Sequence, residues 1–310
     1  MEEYDRLNLT NLDVPAFLLN VPFSYSTAEP NNHTMHTLGE LGRQVNHKRA
    51  MKQFLDLYYF MASQAVVQIL PTPADCRLQD LVFVSNLGIV LPHLPGSDTV
   101  IISNFRTAPR FGETEVGVIF FTSMGYTVHV PPHIFEGEAE LKHLHDNVYI
   151  GGYGLRTDPR ALEWLEKEFD MKIIKIETHD GNLYHLDCKV FPITKTQTLV
   201  CTSVCTPEVI KAIERETEII DVSLNDAYRG ITNSVRMHNM ILNATHISEL
   251  KAGTEIYNNE LHKNRSLEDI TARLGFEVCY FNLSEFIKGG ALLSCLVMHL
   301  NRQSYEHRLL

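Results

Sequence analysis

Five times along the chain a helix-like stretch runs straight into a β-rich one. The units are "NHKRAMKQFLDLYYFMASQAVVQILP", "GETEVGVIFFTSMGYTVHVPP", "TDPRALEWLEKEFDMKIIKIET", "TPEVIKAIERETEIIDVS" and "SLEDITARLGFEVCYFNL". They start roughly 45 to 65 residues apart, a spacing suited to a repeated supersecondary unit. The helix starts carry their own signals. Asp158-Pro159 and Thr206-Pro207 set a side-chain acceptor before a first-turn proline, and Ser266 followed by Glu268 and Asp269 reads as a further cap. Between the units lie extra strand candidates: "DLVFVSNLGIVLPH", "TVIIS", "NVYIGGYG", "LYHLDCKVFPI", "TLVCTSV" and "VRMHNMILNATHI". So many strands per helix disfavour a simple doubly wound sheet, whose units carry one strand per helix. A ring of five strand-rich α/β units accommodates them. Pro and Gly punctuation is spread along the chain with no low-complexity linker, so residues 1–310 read as one domain, the first 45 of them irregular.

The charge balance narrows the partners. With 38 acidic against 27 basic side chains and a formal charge of -11, the chain is poorly suited to grip phosphate backbones or anionic membranes. Nucleic acid and membrane are therefore set aside, and a small molecule is the expected partner, with room left for a homo-oligomer. No segment reaches the roughly 18 apolar residues of a membrane span, and the acidic "MEEYDRLNLTNLDVPAF" lacks an uninterrupted apolar run, so the expected location is cytoplasmic. Cys76, Cys188, Cys201, Cys205, Cys279 and Cys295 sit mostly in apolar, strand-like runs, as core thiols rather than a disulfide framework. "CTSVC" has no second cysteine or histidine pair to complete a zinc set, so no metal is expected.

"LYHLDCKV" raises the question of chemistry. Its alternation reads as a half-buried strand with His185 and Asp187 on one face. Alone, the pair reads as a core histidine satisfied by a carboxylate. Near the C-terminus, however, "SEFIKGGALLSCLVMHL" runs through Gly289-Gly290 into an apolar segment holding Cys295, and a glycine pair lets backbone turn sharply and approach a ligand. A cysteine nucleophile needs a histidine near in space and distant in sequence, which His185 supplies. In "FEGEAELKHL", the alternation of Val128, Val130 and Phe135 brings Glu136 in at the end of a buried strand, where a carboxylate orients and charge-stabilises an imidazolium.

"FEGE", the Arg-Thr of "GYGLRTD", "YHLD" and "SEFIKGGALLSC", in that order and spacing, make the chain resemble the guanidino-group-modifying superfamily of amidinotransferases, arginine deiminases and dimethylarginine dimethylaminohydrolases. The resemblance covers nearly the whole chain. It implies a five-bladed α/β propeller, the pentein fold, of pseudo-fivefold ββαβ units, in line with the five repeats. It also implies that Cys295 is the nucleophile, His185 the general acid/base, Glu136 the carboxylate that positions the histidine, and Asp187 the carboxylate that holds the substrate guanidinium. A planar guanidinium suits a bidentate carboxylate, and held as a cation it leaves its central carbon open to a thiolate. Arg110 and Arg156 resemble the arginines that bind an amino-acid carboxylate; otherwise they read as surface arginines paired with Glu113 or Asp158.

Asn86, in "DLVFVSN", stands where deiminases and dimethylarginine hydrolases usually place aspartate and resembles the arginine dihydrolase branch. Asn32 or Asn31, in "AEPNNHTMH", resembles that branch's N-terminal loop asparagine, although the tryptophan and proline of the loop are missing here. Glu140 and Ala139 depart from the usual aspartate and glycine. The expected activity is cofactor-independent hydrolysis of guanidino C–N bonds by covalent cysteine catalysis, first as an arginine dihydrolase. Arginine deiminase, dimethylarginine dimethylaminohydrolase and amidinotransferase are the enzymatic alternatives, and an arginine-binding sensor is the non-enzymatic one.

Overall fold

The computed structural model describes residues 9–74, 77–96 and 98–306. Its first strand, β1 (Ala16–Asn20), is followed by helices α1 (His33–Gly42) and α2 (His47–Ala62) and by β2 (Val66–Leu70), which pairs parallel to β1. Four further units repeat one order, an antiparallel strand pair, a helix, and a third strand parallel to the second. They comprise β3 (Gly88–Val90), β4 (Thr99–Ile102), α3 (Glu113–Ser123) and β5 (Thr127–His129); β6 (Leu141–His145), β7 (Val148–Gly154), α4 (Pro159–Phe169) and β8 (Lys172–Thr178); β9 (Val190–Pro192), β10 (Gln197–Val200), α5 (Pro207–Glu214) and β11 (Glu218–Asp221); and, after the short α6 (Leu224–Tyr228), β12 (Val235–Met237), β13 (Met240–Ala244), α7 (Glu255–Arg273) and β14 (Glu277–Phe281). After α8 (Ser284–Ile287), β15 (Met298–His299) returns to pair antiparallel with β1, Phe17 against His299 and Leu18 against Met298. That pairing completes the first sheet and closes a five-bladed propeller of three-stranded sheets.

The helix in each blade follows from topology: two parallel neighbours need a crossover, and an amphipathic helix both spans it and covers the sheet. In α4 the covering stripe is Ala161, Leu162, Leu165 and Phe169, all buried, and Asp158 caps the helix by accepting from the Arg160 amide at 2.9 Å. Burying each such large side chain stabilises by about 1.5–3 kcal/mol. The five helix-strand units of the sequence correspond to α2–β2, α3–β5, α4–β8, α5–β11 and α7–β14. No helix among the described residues is long and apolar enough to cross a membrane.

Three expectations need correction. Residues 1–45 are not irregular throughout: β1 is the central strand of its blade and all five of its residues are buried, so it shows no alternation to read. Ser266 does not cap the last blade's helix. The helix begins a further three turns earlier, at Thr254, whose hydroxyl accepts from the Tyr257 amide at 3.3 Å. That early part buries a polar network, with Lys263 donating to Asn243 at 3.0 Å and to the Ala244 carbonyl at 2.7 Å, and so carries no apolar period. Finally, His185 and Asp187 do not lie on a strand. Leu186–Cys188 is a 3-10 turn, and the strand starts only at Val190.

Candidate active site

The turn ahead of the first strand of each blade carries one part of the site. Asn86 ends the 3-10 turn before β3, Glu136 heads the one before β6, and His185 and Asp187 form the one before β9. Asn233 stands just ahead of β12, and Cys295 lies in the 3-10 turn before β15. The pseudo-fivefold repeat therefore brings five distant segments to one place.

Because His185 and Asp187 are separated by a turn, they serve different partners. His185 Nε2 lies 2.8 Å from Glu136 Oε2. Asp187 Oδ2 accepts from Ser294 Oγ at 2.7 Å and lies 3.7 Å from Cys295 Sγ. Between them the Leu186 amide donates to Glu140 Oε2 at 3.1 Å, so Glu140 holds the turn in place. Burial pushes the Glu140 carboxyl up to about 8 against the pull of Lys189. Asn233 joins the nucleophile from the other side: its Oδ1 accepts from the Ser294 amide at 2.8 Å and its Nδ2 lies 3.5 Å from Cys295 Sγ.

The electrostatics follow from depth. Burial alone raises the Glu136 carboxyl, but Arg156 and His185 outweigh it and hold the group well below the usual carboxylate range, as an anion. Burial pushes the His185 imidazole down and Glu136 pulls it back, leaving it below its ordinary value. Burial, reinforced by the Asp187 charge, lifts the Cys295 thiol to about 12. Without a cation beside it, this cysteine is a thiol at neutral pH.

These turns face a cavity lined by Asn31, Asn32, Asp80, Asn86, Arg110, Arg156, Tyr184, His185, Gly289 and Cys295, among others. Every sequence-predicted site residue lines it except Glu136 and Asp187, which stand behind His185 and Cys295. Both arginines are buried, contrary to the surface alternative. Arg156 donates to the Asn31 carbonyl at 2.8 Å, lies 3.4 Å from both Glu136 oxygens and stacks over Tyr184, while Asp158 pairs with Arg160 instead. Arg110 forks onto Glu113 at 2.6 and 3.0 Å and reaches the Asp80 and Phe83 carbonyls at 3.3 Å. Of the two loop asparagines, Asn32 is committed to structure, capping α1 through the Met35 amide at 3.0 Å and donating to the Gly289 carbonyl at 2.9 Å. Asn31 reaches into the site and donates to Asp80 Oδ2 at 2.6 Å. Asn86 Nδ2 lies 3.4–3.5 Å from both His185 ring nitrogens.

The glycine pair works as a close approach. Gly290 has φ +78, and a Cβ there would stand 2.6 Å from Asn32 Oδ1. Gly290→Ala is expected to lower stability by about 1–2 kcal/mol through the left-handed backbone alone, and to raise KM by displacing Asn32. Urea titration and steady-state kinetics check it; an unchanged variant sinks the assignment.

Sequence reasoning missed Asp80, Ser294, Asn233 and the holding role of Glu140. Asp80 is buried, and burial lifts its carboxyl against the pull of Arg110. Asp80 lies in "DLVFVSN" and Ser294 in "SEFIKGGALLSC", so an acid beside "FVSN" and a hydroxyl beside Cys295 are signals the sequence carries. Asn233, in "ITNSV", has no local pattern that marks it.

Several known proteins are similar to this chain in sequence and fold. The bifunctional arginine dihydrolase/ornithine cyclodeaminase ArgZ of Synechocystis sp. is 25% identical over 258 residues, 82% of this chain and 34% of that protein. The corresponding AgrE of Nostoc sp. is 26% identical over 258 residues, 81% of this chain and 33% of that protein. The chain thus spans about a third of the length of these relatives. The N(G),N(G)-dimethylarginine dimethylaminohydrolase of Mycobacterium tuberculosis is 26% identical over 171 residues, 55% of this chain and 53% of that one. Among solved structures, the substrate-bound N-terminal domain of ArgZ has the same fold, with a TM-score of 0.79 at 23% identity over 93% of this chain and 98% of that one. Residues 21–302 match the family described as "N,N dimethylarginine dimethylhydrolase, eukaryotic", and the chain belongs to that family, within the guanidino-group-modifying superfamily that its motifs resemble.

Proposed function

We propose that the protein hydrolyses the guanidino C–N bonds of free arginine and carries it past citrulline to ornithine, two ammonia and carbon dioxide, with Cys295 as nucleophile and no cofactor. The hydrolase reading rests on Cys295 against Asp187, His185 against Glu136, and two buried arginines in one cavity. The dihydrolase reading rests on one side chain, the Asn86 amide beside His185.

The roles follow from charge. The cavity encloses only about 10 Å3, so the substrate enters by parting Asn31 and Asn32 from Gly289 to Ala291. Its carboxylate meets Arg156 and Arg110, its ammonium meets Asp80, and its guanidinium lies against Asp187. The arriving cation cancels the Asp187 charge at Cys295 and brings the thiol within reach of His185. The thiol proton passes to His185, and the thiolate attacks the guanidinium carbon, forming the S–C bond. The imidazolium, stabilised by Glu136, gives its proton to the departing nitrogen as the C–N bond breaks. His185 then takes a proton from water, which attacks the thiouronium carbon and frees Cys295 and citrulline. A second cycle on the ureido carbon expels a second ammonia as the S–C bond forms, and water releases the thiocarbamate from Cys295 as a carbamate, which loses carbon dioxide to leave ornithine.

An amide both donates and accepts, so Asn86 can face a neutral ureido group as well as a cation. Asn86→Asp leaves that group against an unmatched buried carboxylate, a mismatch of about 1–3 kcal/mol. The variant is expected to shift product from ornithine towards citrulline, read by mass-resolved product analysis with arginine and with added citrulline. A wild-type protein that stops at citrulline defeats the dihydrolase reading and leaves the hydrolase standing. The family match favours a second reading, dimethylarginine hydrolysis; release of dimethylamine from dimethylarginine, with arginine untouched, selects it.

A further inference from the structure

A separate cavity of about 170 Å3 shares the Tyr184 and Ala291 wall with the substrate cavity. It holds the equivalent of roughly six waters at about 30 Å3 each. Arg229 lines it. The backbone N–H of Arg229 is satisfied by the Asn225 and Asp226 carbonyls, but its guanidinium has no polar partner among the described residues, and its Nε is fully buried. The Nε is thus a buried donor of a half-buried side chain, and native proteins leave few buried donors without an acceptor. The carboxylate in the same wall does not serve it. Glu260 Oε1 accepts from Thr245 at 2.8 Å and pairs with Lys263 at 3.2 Å.

We propose that this cavity binds a compact carboxylate in the fork of Arg229, and that its occupancy is felt at Cys295. The planar fork matches the two oxygens of a carboxylate, while the Glu260 wall disfavours a doubly charged phosphate. The path to the nucleophile is short. Arg229 caps the C-terminal end of α6, Gly230 turns with φ +80 against Leu292, and the Asn233 backbone N–H donates back to the Gly230 carbonyl at 3.1 Å. Asn233 is also the residue that holds the Ser294 amide and touches Cys295 Sγ. A ligand that draws the Arg229 guanidinium pulls on this one turn. Binding at either site is then coupled to the other with equal magnitude.

The test is calorimetric titration of the full chain with acetate and with inorganic phosphate at constant ionic strength, alongside the rate of Cys295 alkylation by iodoacetamide. Acetate is expected to bind the wild type at a site separate from Arg156 and Arg110, at least 10-fold more weakly in Arg229→Gln, and with intermediate affinity in Arg229→Lys. Acetate is expected to change the alkylation rate at least twofold in the wild type and not in Arg229→Gln. Thermal melting checks that each variant is folded; if Arg229→Gln is not, Arg229→Lys carries both comparisons. No acetate binding to the wild type, binding unchanged by either substitution, or a preference for phosphate overturns the site. Binding that leaves the alkylation rate untouched overturns the coupling.

Discussion

Cys295→Ser, which removes the proposed nucleophile, is expected to lower turnover by on the order of 10^4- to 10^6-fold, as such a loss does in other covalent hydrolases, while the melting temperature stays near that of the wild type. The side chain is buried and nearly isosteric, so the fold has little reason to notice the change. The chemistry does, because a hydroxyl of far higher pKa cannot supply the anion. The resting state adds a second readout. Burial and Asp187 hold the thiol up to about 12, so alkylation of the free protein by iodoacetamide is expected to be slow at neutral pH. The sign is fixed by the thiolate fraction: below the raised pKa, labelling quickens about 10-fold per pH unit. Asp187→Asn removes the nearby negative charge and is expected to lower the thiol pKa and speed labelling at a given pH, while impairing turnover by removing the carboxylate proposed to hold the guanidinium. A wild-type thiol that labels at neutral pH like an exposed cysteine refutes the substrate-assisted activation described above.

His185→Ala is expected to cost about 10^2- to 10^4-fold in kcat, the range for a lost general acid/base, with a smaller effect on KM. Glu136→Gln tests the same unit from behind. The buried carboxylate stands 2.8 Å from the ring and is held anionic by Arg156 and His185. The amide keeps the shape and removes the charge that stabilises the imidazolium. Its pH profile separates catalysis from structure: with the anion gone, the His185 pKa falls further, and the acid limb of kcat moves to lower pH. Two variants that raise KM and leave kcat alone would falsify the assigned roles. A Glu136→Gln variant that loses activity with no shift in the acid limb points instead to a packing defect.

Much of the fold was legible because its repeat is local. Each crossover helix announces itself by a cap and an apolar stripe, as in Asp158 with Ala161, Leu162, Leu165 and Phe169, and the parallel strand that follows is a short apolar run. The parts that were misread lack such signals. β1 is buried on both faces and shows no alternation. The front of α7 is held by Glu260, Lys263 and Asn264 rather than by apolar contacts. The two-residue β15 is too short to read at all and exists because β1 offers it an edge.

The site divides along the same line. By itself the sequence determined which residue types are present and in what order: a cysteine after a glycine pair, a histidine and an aspartate two apart, an acid in "FEGE", and an asparagine in "FVSN". These choices are chemical and need no coordinates. Only the tertiary structure decided who faces whom. The alternation of "LYHLDCKV" set His185 and Asp187 side by side, whereas the 3-10 turn, pinned by Glu140 through the Leu186 amide, sends one to Glu136 and the other to Ser294 and Cys295. It decided that Asn31 rather than Asn32 reaches Asp80, because the Asn32 side chain is occupied by the α1 cap and the Gly289 carbonyl. It also left the buried Nε of Arg229 without an acceptor among the described residues, beside the turn that holds Cys295. Apart from the local cap, contacts of this kind join residues 46 to 257 positions apart, and they depend on the closure of the ring, which no local pattern encodes.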